Sequence, residues 1–184
     1  MIFELPKSLA VAGVDYTIRS DYRVILELLV TLGTPDLENS EKSIATLITI
    51  FPDYDTIPPS DYKEALDQCV WFINGGEAEH GKPEIKRLMD WEQDYPRIVS
   101  PINRILGFES RSVEYLHWWT WLSAYFEIGD CLFAQIVNIR AKKAKGKKLD
   151  KSEQEFYRHN RDIIDIKGKY TEAEQERLMK LLGR

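Results

Sequence analysis

The sequence predicts a mainly α protein, a compact helical bundle around a central tryptophan-rich helix, preceded by a small N-terminal β-hairpin. Three observations predict it. Apolar residues recur at helical spacing along most of the chain, one stretch near residues 112–128 is apolar around almost its whole circumference, and β-prone runs about a turn occur only near the N-terminus. The 184 residues, 43% hydrophobic and 30% charged, are enough to bury a core without disulfides. The expected organisation is a helical core domain with the hairpin over residues 1–148 and a C-terminal helical extension over 149–184.

Taken in order, residues 8–19 place two short β-prone runs around Gly13, as a hairpin requires. Tyr22, Ile25, Leu26, Leu29 and Val30 then fall at helical spacing, with Ser20 or Asp21 as cap and Gly33-Thr34-Pro35 as stop. A second helix starts near Ser40, carries Ile44, Leu47, Ile48 and Phe51, and halts at Pro52. A third follows Pro58-Pro59, carries Tyr62, Leu66, Cys69, Val70 and Ile73, and ends at Gly75-Gly76. Residues 90–106 hold an apolar stripe interrupted by Pro96 and Pro101, which predicts a kinked or two-piece helix. The Trp-rich stretch should be one helix over 112–128, covered on most sides and serving as the centre on which everything else packs. The next helix, from Leu132 to about Lys143, is expected to form an antiparallel hairpin with it. Ser152-Glu153-Gln154-Glu155 and Thr171-Glu172-Ala173-Glu174 match the capping box, so two C-terminal helices are expected, the second carrying Leu178, Leu181 and Leu182.

Charge and composition exclude several functions. A net charge of −5 argues against a duplex-DNA binder that relies on whole-protein charge. Cys69 and Cys131 lie in apolar helical patterns without a CxxC pair, as buried thiols in a reducing compartment would. No basic start with an apolar run and cleavage site opens the sequence, and no apolar stretch is long enough to span a bilayer, so neither secretion nor membrane insertion is expected.

No catalytic, cofactor or metal residues emerge. Neither GxSxG nor a cysteine beside a histidine-bearing segment occurs, so nucleophilic acyl transfer is not expected and the chain is read as no enzyme. The only ligand-like spacing among the histidines is Glu114-x-x-His117, which a helix would bring onto one face; a single such pair is better explained as a polar stripe, with His117 structural. Glu92 and Asp94 lie at a helix start, where acids offset the macrodipole without any hydrolase role. Gly75-Gly76 follows a helix, so it caps rather than cradling a phosphate. The candidate partner-binding residues are Lys142, Lys143, Lys145, Lys147 and Lys148 around Gly146. They could meet phosphates, but no aromatics are interleaved for base stacking, and nucleic acid is not the favoured partner. The tryptophans are expected in the core, with Trp119→Ala costing about 3–5 kcal/mol.

Three blocks resemble the bacteriophage gene-product-fifteen family, small proteins of tail gene clusters in siphophages and prophages of Gram-positive bacteria. They are Ala65-Leu66-Asp67-Gln68-Cys69-Val70-Trp71-Phe72-Ile73-Asn74-Gly75-Gly76; Asp90-Trp91-Glu92-Gln93-Asp94; and Leu116-His117-Trp118-Trp119 together with Phe133-Ala134-Gln135-Ile136-Val137-Asn138-Ile139-Arg140. The similarity runs from the first helix to about residue 165, with departures at Pro96, Pro101, Gly129-Asp130 and the extension after Tyr170. The resemblance implies a part in building the phage tail in the host cytoplasm. Through the family's usual gene position, it implies a tail assembly chaperone whose partner is the tape-measure protein or another tail protein, with homo-oligomerisation left open. The alternatives are a structural tail component retained in the virion, and a nucleic-acid-binding regulator using the lysine-rich linker. The resemblance transfers no site residues.

Overall fold

The computed structural model describes residues 4–77 and 88–167. The architecture is mainly α: a two-stranded antiparallel hairpin, then eight α-helices among the described residues. In β1 (Ser8–Val11) and β2 (Val14–Thr17), Leu9 and Val11 point into the core while the alternate residues stay exposed. Ala12 and Gly13 make the two-residue turn, both at positive φ, as tight hairpin turns require. The Ala12 amide donates to Glu64 Oε1 at 3.0 Å, tying the turn to the third helix.

The first three helices, α1 (Tyr22–Leu32), α2 (Asn39–Ile50) and α3 (Tyr62–Ile73), lie close to their expected bounds because their caps are local. Asp21 Oδ1 accepts from the Arg23 amide at 2.9 Å to start α1, and Glu38 and Glu41 form a capping box on α2. Gly75 and Gly76 take positive φ after α3, where the backbone turns away.

Three expectations for the middle of the chain are corrected. First, of the two forms expected, kinked or two-piece, the two-piece one is excluded: α4 (Trp91–Leu106) is one 16-residue run through Pro96 and Pro101. Each proline forfeits one backbone bond, a loss the burial of Ile98, Val99 and Ile102 offsets. Second, α5 spans only Trp118–Phe126. Residues 113–117 are pulled out of a helix by long-range pairing: the Tyr22 amide donates to the Leu116 carbonyl at 2.9 Å, the Trp118 amide donates to the Ser20 carbonyl at 2.7 Å, and the Leu116 amide donates to Asp21 Oδ2 at 3.0 Å. Arg23 reinforces this by donating to the Val113 carbonyl at 2.5 Å. Third, α5 and α6 (Leu132–Ala144) do not zip into a hairpin. The main neighbours of α5 are α4 and α1, whereas α6 lies on α8 and α4; α5 and α6 meet at Tyr125 and Phe133.

Nor does everything pack on the Trp-rich helix. A second, smaller core gathers Ile136, Ile139 and Ile164, flanked by Leu149, Phe156, Tyr157 and Ile163. It joins α6 to α7 (Lys151–His159) and α8 (Arg161–Ile164). The expected box of Ser152 with Glu155 does not form: α7 starts two residues earlier, and its capping box is Asp150 with Glu153. The expected helix with Leu178, Leu181 and Leu182 lies outside the described residues. Of the two thiols, Cys69 is fully buried, and burial pushes its pKa up to about 12. Cys131 is half-buried and caps α6 rather than lying inside it. No helix among the described residues is long and apolar enough to cross a membrane.

Candidate functional site

The tryptophans are structural, and they form a specific lock. Trp121 stacks on Tyr22, Trp118 and Tyr125, with ring centroids 5.5–5.8 Å apart and interplanar angles of 6–16°. The Trp118 indole donates to the Ile73 carbonyl at 2.9 Å and the Trp119 indole to the Phe72 carbonyl at 2.8 Å. Both carbonyls belong to the last turn of α3, where intrahelical donors run out. A side chain on Gly76 would sit 2.9 Å from the Trp119 ring, and one on Gly75 would sit 3.0 Å from Leu122. The two glycines thus permit close approach as well as the turn. His117 belongs to the same lock: its Nδ1 accepts from the Trp119 amide at 3.0 Å, capping α5, while Nε2 meets the Pro6 carbonyl at 2.9 Å. Because Glu114 precedes α5, the expected Glu114 and His117 face on one helix does not exist. Burial holds the His117 pKa below the ordinary imidazole value, only partly countered by the Pro6 contact.

A second lock is ionic. Asp94, read from sequence as a macrodipole acid, is fully buried, and so is Arg140, read as the start of the basic tail. The Arg140 guanidinium holds Asp94 bidentately at 2.6 and 3.0 Å. It also donates to the carbonyls of Leu88, Ile163 and Ile164 at 3.1, 2.9 and 2.5 Å. Its donors are thereby satisfied, and one side chain joins α4, α6 and α8. Asp94 Oδ2 further accepts from the Asp90 amide at 2.9 Å.

The five candidate lysines are divided by the structure. Lys142 pairs with Glu153, and Lys143 bonds Asp165 Oδ1 and the Tyr157 hydroxyl, each at 2.6 Å, with its ammonium 3.8 Å from the Tyr157 ring centre. Partial burial lowers the Lys143 pKa, but Asp165 and Tyr157 outweigh it and the net shift is upward. These two lysines fasten α7 and α8 to α6. Lys145, Lys147 and Lys148 stay exposed around Gly146 and converge on no site. Among the described residues, no group of three or more His, Cys, Asp or Glu could hold a metal ion.

Two of the concavities among the described residues border the aromatic lock. The larger, about 1040 Å³, is lined by Leu5, Pro6, Lys7, Trp71, Gly75, Gly76 and Trp119 and borders residues outside the described chain. The other, about 590 Å³, is a groove between α1 and α4. Tyr22, Leu26, Val30, Trp91 and Tyr95 line it, and Arg23, Glu27 and Glu92 edge it. Arg23 is already paired with Asp21 at 2.9 Å, which leaves Glu27 and Glu92 as the exposed rim charges. The Tyr95 phenol is held above its ordinary pKa, first by burial and then by its bond to Tyr22, so it stays neutral. The groove has an apolar floor and an edge that carries carboxylates. The sequence reading places Tyr22, Leu26, Val30 and Trp91 in core stripes and gives Tyr95 no role. The available signal was the width of the α1 stripe, since Val24 and Leu28 add to the five predicted positions and give α1 more apolar surface than one contact needs.

No curated protein and no solved structure matches the chain. A family profile described as Bacteriophage Gp15 protein matches residues 1–166, reaching back through the hairpin that the resemblance had left out. The matched range covers the residues of both locks, and the chain belongs to the Bacteriophage Gp15 protein family.

Proposed function

We propose that this phage protein is a non-enzymatic tail assembly protein, a chaperone for the tape-measure protein in the host cytoplasm. The observation that carries the reading is the α1/α4 groove: an open apolar trough beside a rigid core, without catalytic chemistry around it. A long tape-measure chain rich in amphipathic helix exposes apolar stripes before assembly, and a small acidic protein with such a trough would cover them and keep the complex soluble. The lysine segment is secondary in this reading, because Lys142 and Lys143 serve the fold and only three of the five candidates are left for any polyanion.

Co-expression and affinity capture with the neighbouring tape-measure protein tests the proposal. The intact chain should retain the client, and Val30→Glu, which puts a charge into the groove, should reduce capture about tenfold or more. Combined alanine changes at Lys145, Lys147 and Lys148 should leave it intact. Capture that tolerates Val30→Glu removes the groove from the reading. Mass analysis of purified particles separates a chaperone, absent from the virion, from a structural subunit present in fixed proportion.

A further inference from the structure

We propose that the α1/α4 groove selects its partner by charge: it takes an amphipathic helix of another protein whose apolar stripe is flanked on both sides by Lys or Arg, and rejects the same helix flanked by Asp or Glu. The inference rests on reading the groove as the partner-facing surface, and it names the chemistry of what binds there. Its starting point is how the two walls are built. On α1, Tyr22, Leu26 and Val30 recur every fourth residue and make one apolar row, and the row one residue further on is Arg23, Glu27 and Thr31. On α4, Trp91 and Tyr95 repeat that spacing, with Glu92 one residue beyond Trp91. Each helix therefore gives the groove an apolar wall and a polar rim, and each rim holds an exposed carboxylate, Glu27 on one side and Glu92 on the other.

The cations nearby are already engaged. Arg23 bonds both Asp21 carboxylate oxygens, at 2.9 and 3.1 Å, and directs its other terminal nitrogen to the Ser110 and Val113 carbonyls. Arg111 and Glu109, the charged groups whose fields reach Tyr95, hold each other at 2.7 and 2.9 Å. Neither Glu27 nor Glu92 takes part in an ion pair among the described residues. The groove thus keeps a carboxylate on each side for a bound helix to neutralise.

Dimensions set the rest of the partner. From Tyr22 to Thr31 the α1 wall is about 14 Å long by helical rise, the length of about nine residues of a bound helix. Over that length such a helix turns apolar side chains at i, i+3 or i+4, and i+7 to the floor. In a heptad these are positions a and d, and the residues standing over the two rims are e and g. Lys or Arg there reaches Glu27 on one side and Glu92 on the other, while its aliphatic stem covers the apolar wall below. The floor accepts any apolar stripe, so the rims discriminate: opposite charge favours one helix, and like charge against two carboxylates excludes another.

Two synthetic helices of about fourteen residues, long enough to fold on the groove, test this with the full chain and no tape-measure protein. Both carry Leu at a and d and Ala elsewhere, one with Lys and the other with Glu at e and g. In fluorescence anisotropy at about 0.1 M salt the Lys helix should bind about tenfold more tightly than the Glu helix, and the difference should shrink several-fold at about 1 M salt, where exposed charges are screened. Bound Lys helix should slow amide exchange across residues 22–31 and 91–95. Glu27→Lys/Glu92→Lys should reverse the preference, whereas Asp15→Lys/Asp55→Lys, exposed positions that do not line the groove, changes the net charge equally and should keep it. If the first variant does not fold, Glu27→Gln/Glu92→Gln takes its place and should abolish the preference. Equal binding of the two helices, binding of neither, or a preference that follows net charge alone overturns the inference. So does groove protection that grows with protein concentration in the absence of peptide, which would give the groove to a second copy. Failed capture of the tape-measure protein with this preference intact removes the client reading alone, and capture without the preference removes this inference alone.

Discussion

The aromatic lock and the ionic lock hold neighbouring parts of one molecule by opposite physics. In the first, Trp118, Trp119 and Trp121 bury large rings between α1, α3 and α5, and their energy is spread over many weak contacts. In the second, one guanidinium and one carboxylate join α4, α6 and α8, and nearly everything depends on both being present. The first should therefore fail gradually and the second abruptly. The smaller core around Ile136, Ile139 and Ile164 has little apolar area of its own, which is why the C-terminal helices need an ionic anchor as well.

The largest expected loss comes from Trp121→Ala, which empties the centre of the stack and should cost about 3–5 kcal/mol in denaturant unfolding. Trp119→Ala should cost less than the sequence suggested, because Trp119 is half-buried. Trp121→Phe should cost far less than Trp121→Ala, since the indole N–H has no acceptor among the described residues. Equal losses for alanine at 119 and 121 would contradict the graded picture.

Next is Arg140→Met, which strands a buried carboxylate and should also cost about 3–5 kcal/mol. Arg140→Met/Asp94→Leu should be more stable than Arg140→Met alone, the signature of an all-or-none pair; a double variant worse than the single would deny it. Below these stands Gly76→Ala. Its positive φ and the Trp119 ring 2.9 Å away should together cost about 1–3 kcal/mol, read as a lower midpoint with unchanged slope.

The smallest effect is on pH. His117 has a lowered pKa when folded, so between that value and the ordinary 6.5 the unfolded chain binds more protons than the folded one. Stability therefore rises with pH through that window and levels off above it. Lowering pH from 7.5 to 5.5 should reduce the melting temperature, and His117→Asn, which keeps a capping side chain, should flatten this slope. An unaltered slope would place the titration elsewhere.

Much of the fold was legible. The hairpin and α1 to α3 follow from signals that lie within a few residues of what they specify: a positive-φ turn at Gly13, Asp21 before Tyr22, Gly75-Gly76 after Ile73. The start of α5 was not legible, because Leu116 is held by Asp21 and Tyr22 and Trp118 by Ser20, some 95 residues away. The site was less legible still. The five lysines look alike in sequence, and only the arrival of Glu153, Tyr157 and Asp165 separates Lys142 and Lys143 from the rest.

The sequence alone determined the class of the protein: periodic apolar spacing fixes helices, local caps fix their ends, and residues 1–166 match the family. Tertiary structure decided which charges are internal, where the Trp-rich segment becomes helical, and that an apolar trough stays open between α1 and α4. The reason is range. Periodicity and capping are short-range properties of the chain, whereas burial of Asp94 with Arg140 and the shape of a groove exist only once distant segments have met.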